Sequence, residues 1–362
     1  MHKLFTLGPV EMYEYTRERL SEQLPYFRTE EFSKINLECA ERLRRLAGAP
    51  DDSHVFLLTC SGTGAMEAVV GGCFSGKYDK LLVVDGGGFG HRFTELAGYH
   101  GIPIEAMRLE FEETLKPEMI EARIKQEDGF TGMLVNLHET TTGQIYDKSI
   151  FSSFCSRYGL YHICDAVGSF LADPMDFTSD GIDALIVSSQ KALALPPGLA
   201  IVILSDRLYQ KILKHDIKPY SQYFDFIEAE SNALRGQTPY TPAVGIISAM
   251  HERLCRLEEE GGAEASVERT KALAEDFRSR IGALISKGLI SLPAHPLSNA
   301  CTPLIFPRGN AKDIYRKLSE GHGIWLNPNG GALADIVLRV GHLGDLAEED
   351  NAMLAGLLAD IL

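Results

Sequence analysis

HVFLLTC (54–60), KLLVVD (80–85), IPIEAMRL (102–109), GMLVNL (132–137), YHICDA (161–166), ALIVSS (184–189) and LAIVIL (199–204) are short apolar runs separated by longer segments of helical spacing. Runs so rich in Val, Ile and Leu, with little polar alternation, read as strands covered on both faces. The helices between them imply crossover connections and hence parallel pairing. The fold class expected is α/β, a large domain with a mostly parallel central sheet and helices on both faces. Near residue 257 the texture changes. LEEEGGAEASVERTKALAEDFRSRIGALISKG (257–288) reads as one long polar helix, followed by short strands in TPLIFPR, IWLNP and VLRVGHL and by the amphipathic helix AEEDNAMLAGLLADIL (347–362). The expected division is a large domain over 12–257 and a smaller C-terminal α+β domain over 258–362, which also takes in the N-terminal segment 1–11.

A chain of 362 residues suits two domains. Its 50 acidic and 35 basic residues leave a formal charge of −15, which repels phosphate backbones and anionic lipid, so nucleic acid and membrane surfaces are not expected partners. The start, MHKLFTLGPVEMYEY, lacks an export signal, and no run of 18 apolar residues occurs; a cytoplasmic location is expected. The seven cysteines are scattered, with no CxxC pair and no His/Cys spacing that suits a metal, so reduced thiols and no metal site are expected.

Several polar motifs follow the apolar runs directly, where open α/β sheets bind ligands. SGTGAMEA (61–68) could turn backbone amides and the hydroxyls of Ser61 and Thr63 toward a phosphate at a helix N-terminus, or it is a plain strand-to-helix turn with a serine cap. In GGGFGHR (86–92), Phe89 could lie against a planar ring or tuck into the core. LHETTTGQ (137–144) brings His138, Glu139 and three threonines to a strand end, either as hydrogen-bonding partners of a ligand or as turn chemistry. In YHICDAVGSF (161–170), Asp165 interrupts an apolar run. A buried carboxylate is costly without a positive partner, and a pyridinium nitrogen would serve, though a helix-capping aspartate is the common alternative. In ALIVSSQKALALPPG (184–198), Lys191 sits among apolar residues and hydroxyls, where an amine loses basicity, as a Schiff-base lysine must; the alternative is a lysine reaching to solvent.

These blocks, in this order and together with RVGHLG (339–344), closely resemble the class V aminotransferases of pyridoxal-phosphate fold type I, over roughly Leu7 to Gly344. Within that class the likeness is greatest to the group of alanine–glyoxylate, serine–pyruvate and 2-aminoethylphosphonate–pyruvate transaminases. The resemblance implies pyridoxal 5'-phosphate as cofactor, Lys191 as its covalent anchor and proton shuttle, and Asp165 as partner of the ring nitrogen. It places Phe89 and Val167 on the two ring faces and gives Thr142 the ring oxygen. Ser61, Gly62, Thr63 and Gln190 fall at phosphate contacts, and Thr241 in QTPYTPAV matches a residue reaching the neighbouring subunit's phosphate, which implies a homodimer with shared active sites. Arg339 matches the binder of the substrate carboxylate, a role that suits a planar guanidinium. Gly8 in LGPV stands at the substrate end, in a segment shorter than the family's usual Gly-Pro repeat.

The activity implied is ping-pong transfer of an amino group from a small amine to a 2-oxo acid, pyruvate or glyoxylate. HETTTG favours 2-aminoethylphosphonate as donor, whereas SQKALALPPG favours alanine or serine. A phosphonate would call for a further cation, and Arg28 or Arg92 could supply it. Two other readings remain. A cysteine desulfurase would need a mobile-loop cysteine, for which Cys301 in NACTPLIFP is the candidate in the small domain, although it stands just before a strand. A non-catalytic cofactor-binding regulator could dispense with Lys191, Asp165 or Arg339, and all three are present.

Overall fold

The computed structural model describes residues 2–362. Each of the quoted runs forms a strand: β1 His54–Leu58, β2 Leu81–Asp85, β3 Ile104–Arg108, β4 Gly132–Asn136, β5 Tyr161–Asp165, β6 Ala184–Ser188 and β7 Ala200–Leu204. They make one seven-stranded sheet in the order β1-β7-β6-β5-β4-β2-β3. Pairing is parallel from β6 through to β3, whereas β7 runs antiparallel to both β1 and β6. Because β7 reverses twice, β1 points the same way as β6. The carboxyl ends of six strands therefore emerge along one edge, where the polar motifs follow.

Burial on both faces explains the continuous apolar runs. Leu82, Val84, Met133, Val135, Cys164, Leu185 and Val187 enter one buried cluster, while Leu81, Val83, Leu134, Ile163, Ala184 and Ile186 enter another on the opposite face. Successive strand residues point to opposite faces, so neither set tolerates polar alternation. A third cluster joins Phe5, Phe277, Leu304, Phe306, Leu338 and Val340 around a smaller antiparallel sheet. That sheet contains β8 Cys301–Ile305, the short strand Asn327–Pro328 and β9 Val337–Gly341, with Pro303 and Asn327 both in register with Arg339. Lys3–Leu4 pairs with Ile324–Trp325, which places Phe5 in the third cluster.

The stretch 257–288 differs from the single helix expected. A helix over Val244–Glu259 ends there, the next spans Gly262–Arg280, and a short one spans Gly282–Ser286. Gly261 and Gly262 adopt φ of +107° and +73°, a left-handed turn that interrupts the helical hydrogen bonding whatever the neighbouring propensities. Among the described residues no helix is long and apolar enough to cross a membrane.

Candidate active site

After β1 the chain enters helix α1, Gly62–Cys73, capped by Ser61, whose hydroxyl oxygen accepts from Gly64 N at 3.3 Å. The serine caps the helix as the plain reading of this turn has it, and its hydroxyl proton is left to donate elsewhere. Thr63 Oγ1 accepts from Arg92 at 2.9 Å, which leaves its proton free in the same way. Ser188 Oγ donates to Gln190 Oε1, so the Gln190 amide hydrogens remain as donors. Among the described residues neither Ser61 nor Thr63 gives its hydroxyl proton to a protein acceptor. Donors without acceptors, at the positive end of a helix, suit a group that only accepts, such as a phosphate dianion.

After β2 the chain turns through Gly86 and Gly87 into helix α2, Gly88–Tyr99, with Phe89 in its first turn. The ring is half-buried and stays out of the core clusters, with the Arg92 guanidinium 5.0 Å from its centroid. Glu139, fully buried after β4, anchors this wall: its carboxylate accepts from Gly90 N at 2.9 Å and from Thr141 N at 3.0 Å. Sequence reasoning noted Glu139 but missed that it ties the aromatic wall to the threonine turn. The threonines divide their work. Thr142 Oγ1 is buried, donating to Glu139 O at 3.3 Å and accepting from Gln144 N at 3.3 Å, so it serves the turn. Thr141 Oγ1 accepts from Gly88 N at 3.1 Å and lies on the open side with its proton available. His138 is structural: Nδ1 meets Gly168 O at 3.2 Å, and burial pulls its pKa down to about 3, so the ring is neutral.

Asp165 closes β5. One carboxylate oxygen accepts from Val167 N at 2.9 Å and the other from Asn136 Nδ2 at 2.7 Å. Burial pushes its pKa up to about 6 even though both bonds and the charge of Lys191 oppose the shift. A carboxylate held this way, with its ionised form disfavoured, is set to receive a cation. Val167 is half-buried beside it and contacts the phosphate turn, since a Cβ on Gly62 would lie 3.0 Å from Val167 Cγ2.

Lys191 follows β6 by three residues. Burial lowers its pKa to about 8, with Asp165 acting in the opposite direction and Arg339 reinforcing the fall. The N-terminal segment covers it. A Cβ on Gly8 would lie 2.8 Å from Lys191 Cδ and 3.1 Å from Nζ, and Gly8 has φ +135°, so the amine rests against bare backbone. This adjacency of residues far apart in sequence was not legible from the motif itself.

Arg339 on β9 completes the cluster from the small sheet, donating to Thr140 O at 3.1 Å and Pro328 O at 2.7 Å. Its Nε is buried without a partner, and burial depresses its pKa. Cys301, at the start of β8, is fully buried, and burial pushes its thiol up to about 12, the opposite of a reactive thiolate on a mobile loop. Two expected residues lie apart. Thr241 is exposed, and Arg28 is engaged with Gln237 Oε1, Thr238 O and Pro239 O, in the segment leading to Thr241.

The strand ends thus gather unsatisfied donors at one side, an aromatic wall, a buried carboxylate, an amine of lowered basicity and a half-buried guanidinium. The family described as Aminotransferase class-V matches residues 19–345. A 2-aminoethylphosphonate–pyruvate transaminase of Vibrio vulnificus is 28% identical, over 98% of this chain and 96% of its own length. An uncharacterized aminotransferase of Helicobacter pylori is 28% identical over 94% and 88%. An aspartate aminotransferase of subgroup IV from Thermus thermophilus superposes with a TM-score of 0.88 at 25% identity, covering 99% of this chain and 98% of that one. An alanine–glyoxylate aminotransferase from Nostoc sp. shares the fold with a TM-score of 0.92 at 21% identity, covering 100% and 96%. The acceptor-seeking phosphate turn, the poised carboxylate and the low-pKa lysine fit pyridoxal phosphate as the resident cofactor, and the chain belongs to the class V aminotransferases, as a pyridoxal-phosphate-dependent transaminase of fold type I.

Proposed function

We propose that the enzyme moves an amino group from a small amine (2-aminoethylphosphonate, alanine or serine) to pyruvate or glyoxylate. The observation that carries this reading is Arg339, a half-buried guanidinium whose only acceptors among the described residues are the carbonyls of Thr140 and Pro328. In a ping-pong exchange donor and acceptor occupy one site in turn, so this single cation could take the carboxylate of an oxo acid in one half-reaction and a carboxylate or phosphonate in the other. Similarity along the whole chain to a 2-aminoethylphosphonate–pyruvate transaminase supports that amine as a donor.

Pyridoxal phosphate bound here supplies an electron sink for the carbon that carries the nitrogen. The residues of the chain do the rest. Lys191 Nζ would be the anchoring amine and would also take the proton from the substrate carbon and return it. Its lowered pKa keeps a larger neutral fraction available near neutral pH. Asp165 would face the ring nitrogen and keep it protonated. Phe89 and Val167 would confine the ring, and Ser61, Gly62, Thr63 and Gln190 would hold the phosphate. Thr141 or, after rotation away from Glu139 O, Thr142 donates to the ring oxygen. Gly8 leaves room for the Lys191 side chain to swing at the substrate end.

The division of labour between a cofactor-binding unit, 12–257, and a substrate-carboxylate unit, 258–362 with 1–11, belongs to this reading. So does a cytoplasmic homodimer, supported by the exposed Thr241 and its Arg28-braced segment, which would reach the phosphate of the second subunit. The test is a donor panel of 2-aminoethylphosphonate, alanine and serine, each followed by cofactor absorbance and then by chase with pyruvate or glyoxylate. At least one donor should bleach the Lys191-dependent band, and an oxo acid should restore it. Release of sulfide from cysteine with persulfide on Cys301, and no bleaching by any donor, would overturn the reading.

A further inference from the structure

Arg92 is a cation that the proposed mechanism does not use. Its Nη1 donates to Thr63 Oγ1 at 2.9 Å, and its guanidinium carbon lies 5.0 Å from the Phe89 ring centroid. In a chain carrying 15 more acidic than basic residues, most buried or half-buried arginines meet a carboxylate or backbone carbonyls. Arg44 pairs with Glu41, Arg253 with Glu260, and Arg278 donates to the carbonyls of Ser298 and Cys301. Among the described residues Arg92 has no carboxylate within ion-pair distance, and its acceptor is the Thr63 hydroxyl. That hydroxyl, having accepted from a guanidinium, is polarised and keeps its own proton to donate onward. The direction of donation is thus Arg92 to Thr63 to whatever the phosphate turn holds.

We propose that Arg92 is a positioning residue of the phosphate subsite. It brings positive charge to the cofactor phosphate through Thr63 and covers the outer face of Phe89, and it is therefore not the cation for a second anionic group on the amine. This rests on the reading that Lys191 anchors pyridoxal phosphate. With Arg28 engaged at residues 237–239, Arg339 is left to meet the anionic group of either substrate.

The test titrates apoenzyme with pyridoxal phosphate and, separately, with pyridoxal, which has the same ring and aldehyde but no phosphate, following the visible band that requires Lys191. R92M keeps the stem over Phe89 and removes the charge. Relative to wild type, its dissociation constant for pyridoxal phosphate should rise about tenfold or more, as for a lost charge-assisted hydrogen bond. Its affinity for pyridoxal should stay within about twofold. T63V should reproduce the selective loss, and R92K should recover part of it. Equal losses for both ligands would reduce Arg92 to packing, and unchanged affinity for pyridoxal phosphate would refute the proposal, as would R92M selectively abolishing the 2-aminoethylphosphonate half-reaction at saturating cofactor. Should R92M not fold, R92K and T63V carry the same comparison. Absence of a Lys191-dependent band in wild type would instead overturn the functional reading beneath it.

Discussion

Gly8→Ala is the sharpest perturbation of the site, because it removes no polar group. Gly8 sits at φ +135°, where a side chain strains the backbone, and the added Cβ would stand 2.8 Å from Lys191 Cδ, 2.9 Å from Cε and 3.1 Å from Nζ. The segment cannot move aside cheaply. Gly341 N donates to Phe5 O at 2.7 Å, Phe5 N to Trp325 O at 2.9 Å and Asp345 N to Glu11 O at 3.0 Å, while Asn327 Oδ1 accepts from Leu7 N. Ordinary van der Waals separation of the new methyl from Cδ requires a shift of roughly 0.6 to 1 Å, and the lysine is the softer partner. Backbone strain of about 1–3 kcal/mol should lower the melting temperature by only a few degrees in a chain of this length. Displacing the reacting amine by such a distance should slow proton transfer by about 10²-fold. Single-turnover half-reactions with saturating donor, at matched cofactor occupancy, separate the two effects. A variant that transfers protons at the wild-type rate would refute the packing of Gly8 on Lys191, and one that loses its cooperative melt would show the strain to be global.

Asp165→Asn should reduce the half-reaction rate by about 10²- to 10³-fold, as for other preorganised charges, while the variant still forms the Lys191-dependent band; an unaltered rate would remove Asp165 from the ring nitrogen. Arg339→Ala should raise the KM for the oxo acid about 100-fold through loss of a two-point charge-assisted grip, with cofactor affinity little changed in direct titration. Cofactor capture by apoenzyme needs the neutral Lys191 amine. With its pKa lowered from 10.5 to about 8, the capture rate should be flat above that pH and fall about tenfold per unit below it, as stopped-flow absorbance would register. An inflection above pH 10 would contradict the burial argument.

The large sheet was legible because burial on both faces imposes a coarse signal. In the inner strands β2 and β4 to β7 the covered positions leave no polar alternation, whereas the edge strands β1 and β3 are only partly covered and β3 carries Glu105 and Arg108; the motifs that follow are polar by contrast. The orientation of β7 was not legible, since a strand covered on both faces shows the same composition whether its neighbours run with it or against it. Two glycines invisible to a periodicity count broke the stretch 257–288. In the site, residues whose chemistry is odd for their local setting announced themselves: an aspartate in YHICDA, a lysine after ALIVSS. Residues that act through distant partners did not. Glu139 reads as an ordinary polar residue until its carboxylate is seen holding Gly90 and Thr141, 49 and two positions away. Gly8 reads as half of a Gly-Pro turn until Lys191 is found against it. Thr142 stands at the family's hydroxyl position, yet the backbone turns that hydroxyl inward and leaves Thr141 facing the opening.

Arg339 connects these layers. In the free protein its guanidinium is half-buried, with Nε shut away from solvent, so its charge is destabilised, and among the described residues it is met only by two carbonyl dipoles. In the proposed role, a substrate carboxylate would replace neutral acceptors by a charged one where the dielectric is lowered, which would strengthen the contact beyond what an exposed arginine offers. One of the carbonyls it releases belongs to Thr140, in the turn that Glu139 ties to the Phe89 wall. Anion capture from the small sheet and confinement of the ring by the large one are therefore coupled through a single turn of four residues, Glu139 to Thr142. That turn follows β4, the strand next to β5 and Asp165. On the proposed roles, the carboxylate grip, the ring wall and the partner of the ring nitrogen would share one origin in the sheet, so a substrate held at Arg339 would also be placed with respect to Lys191.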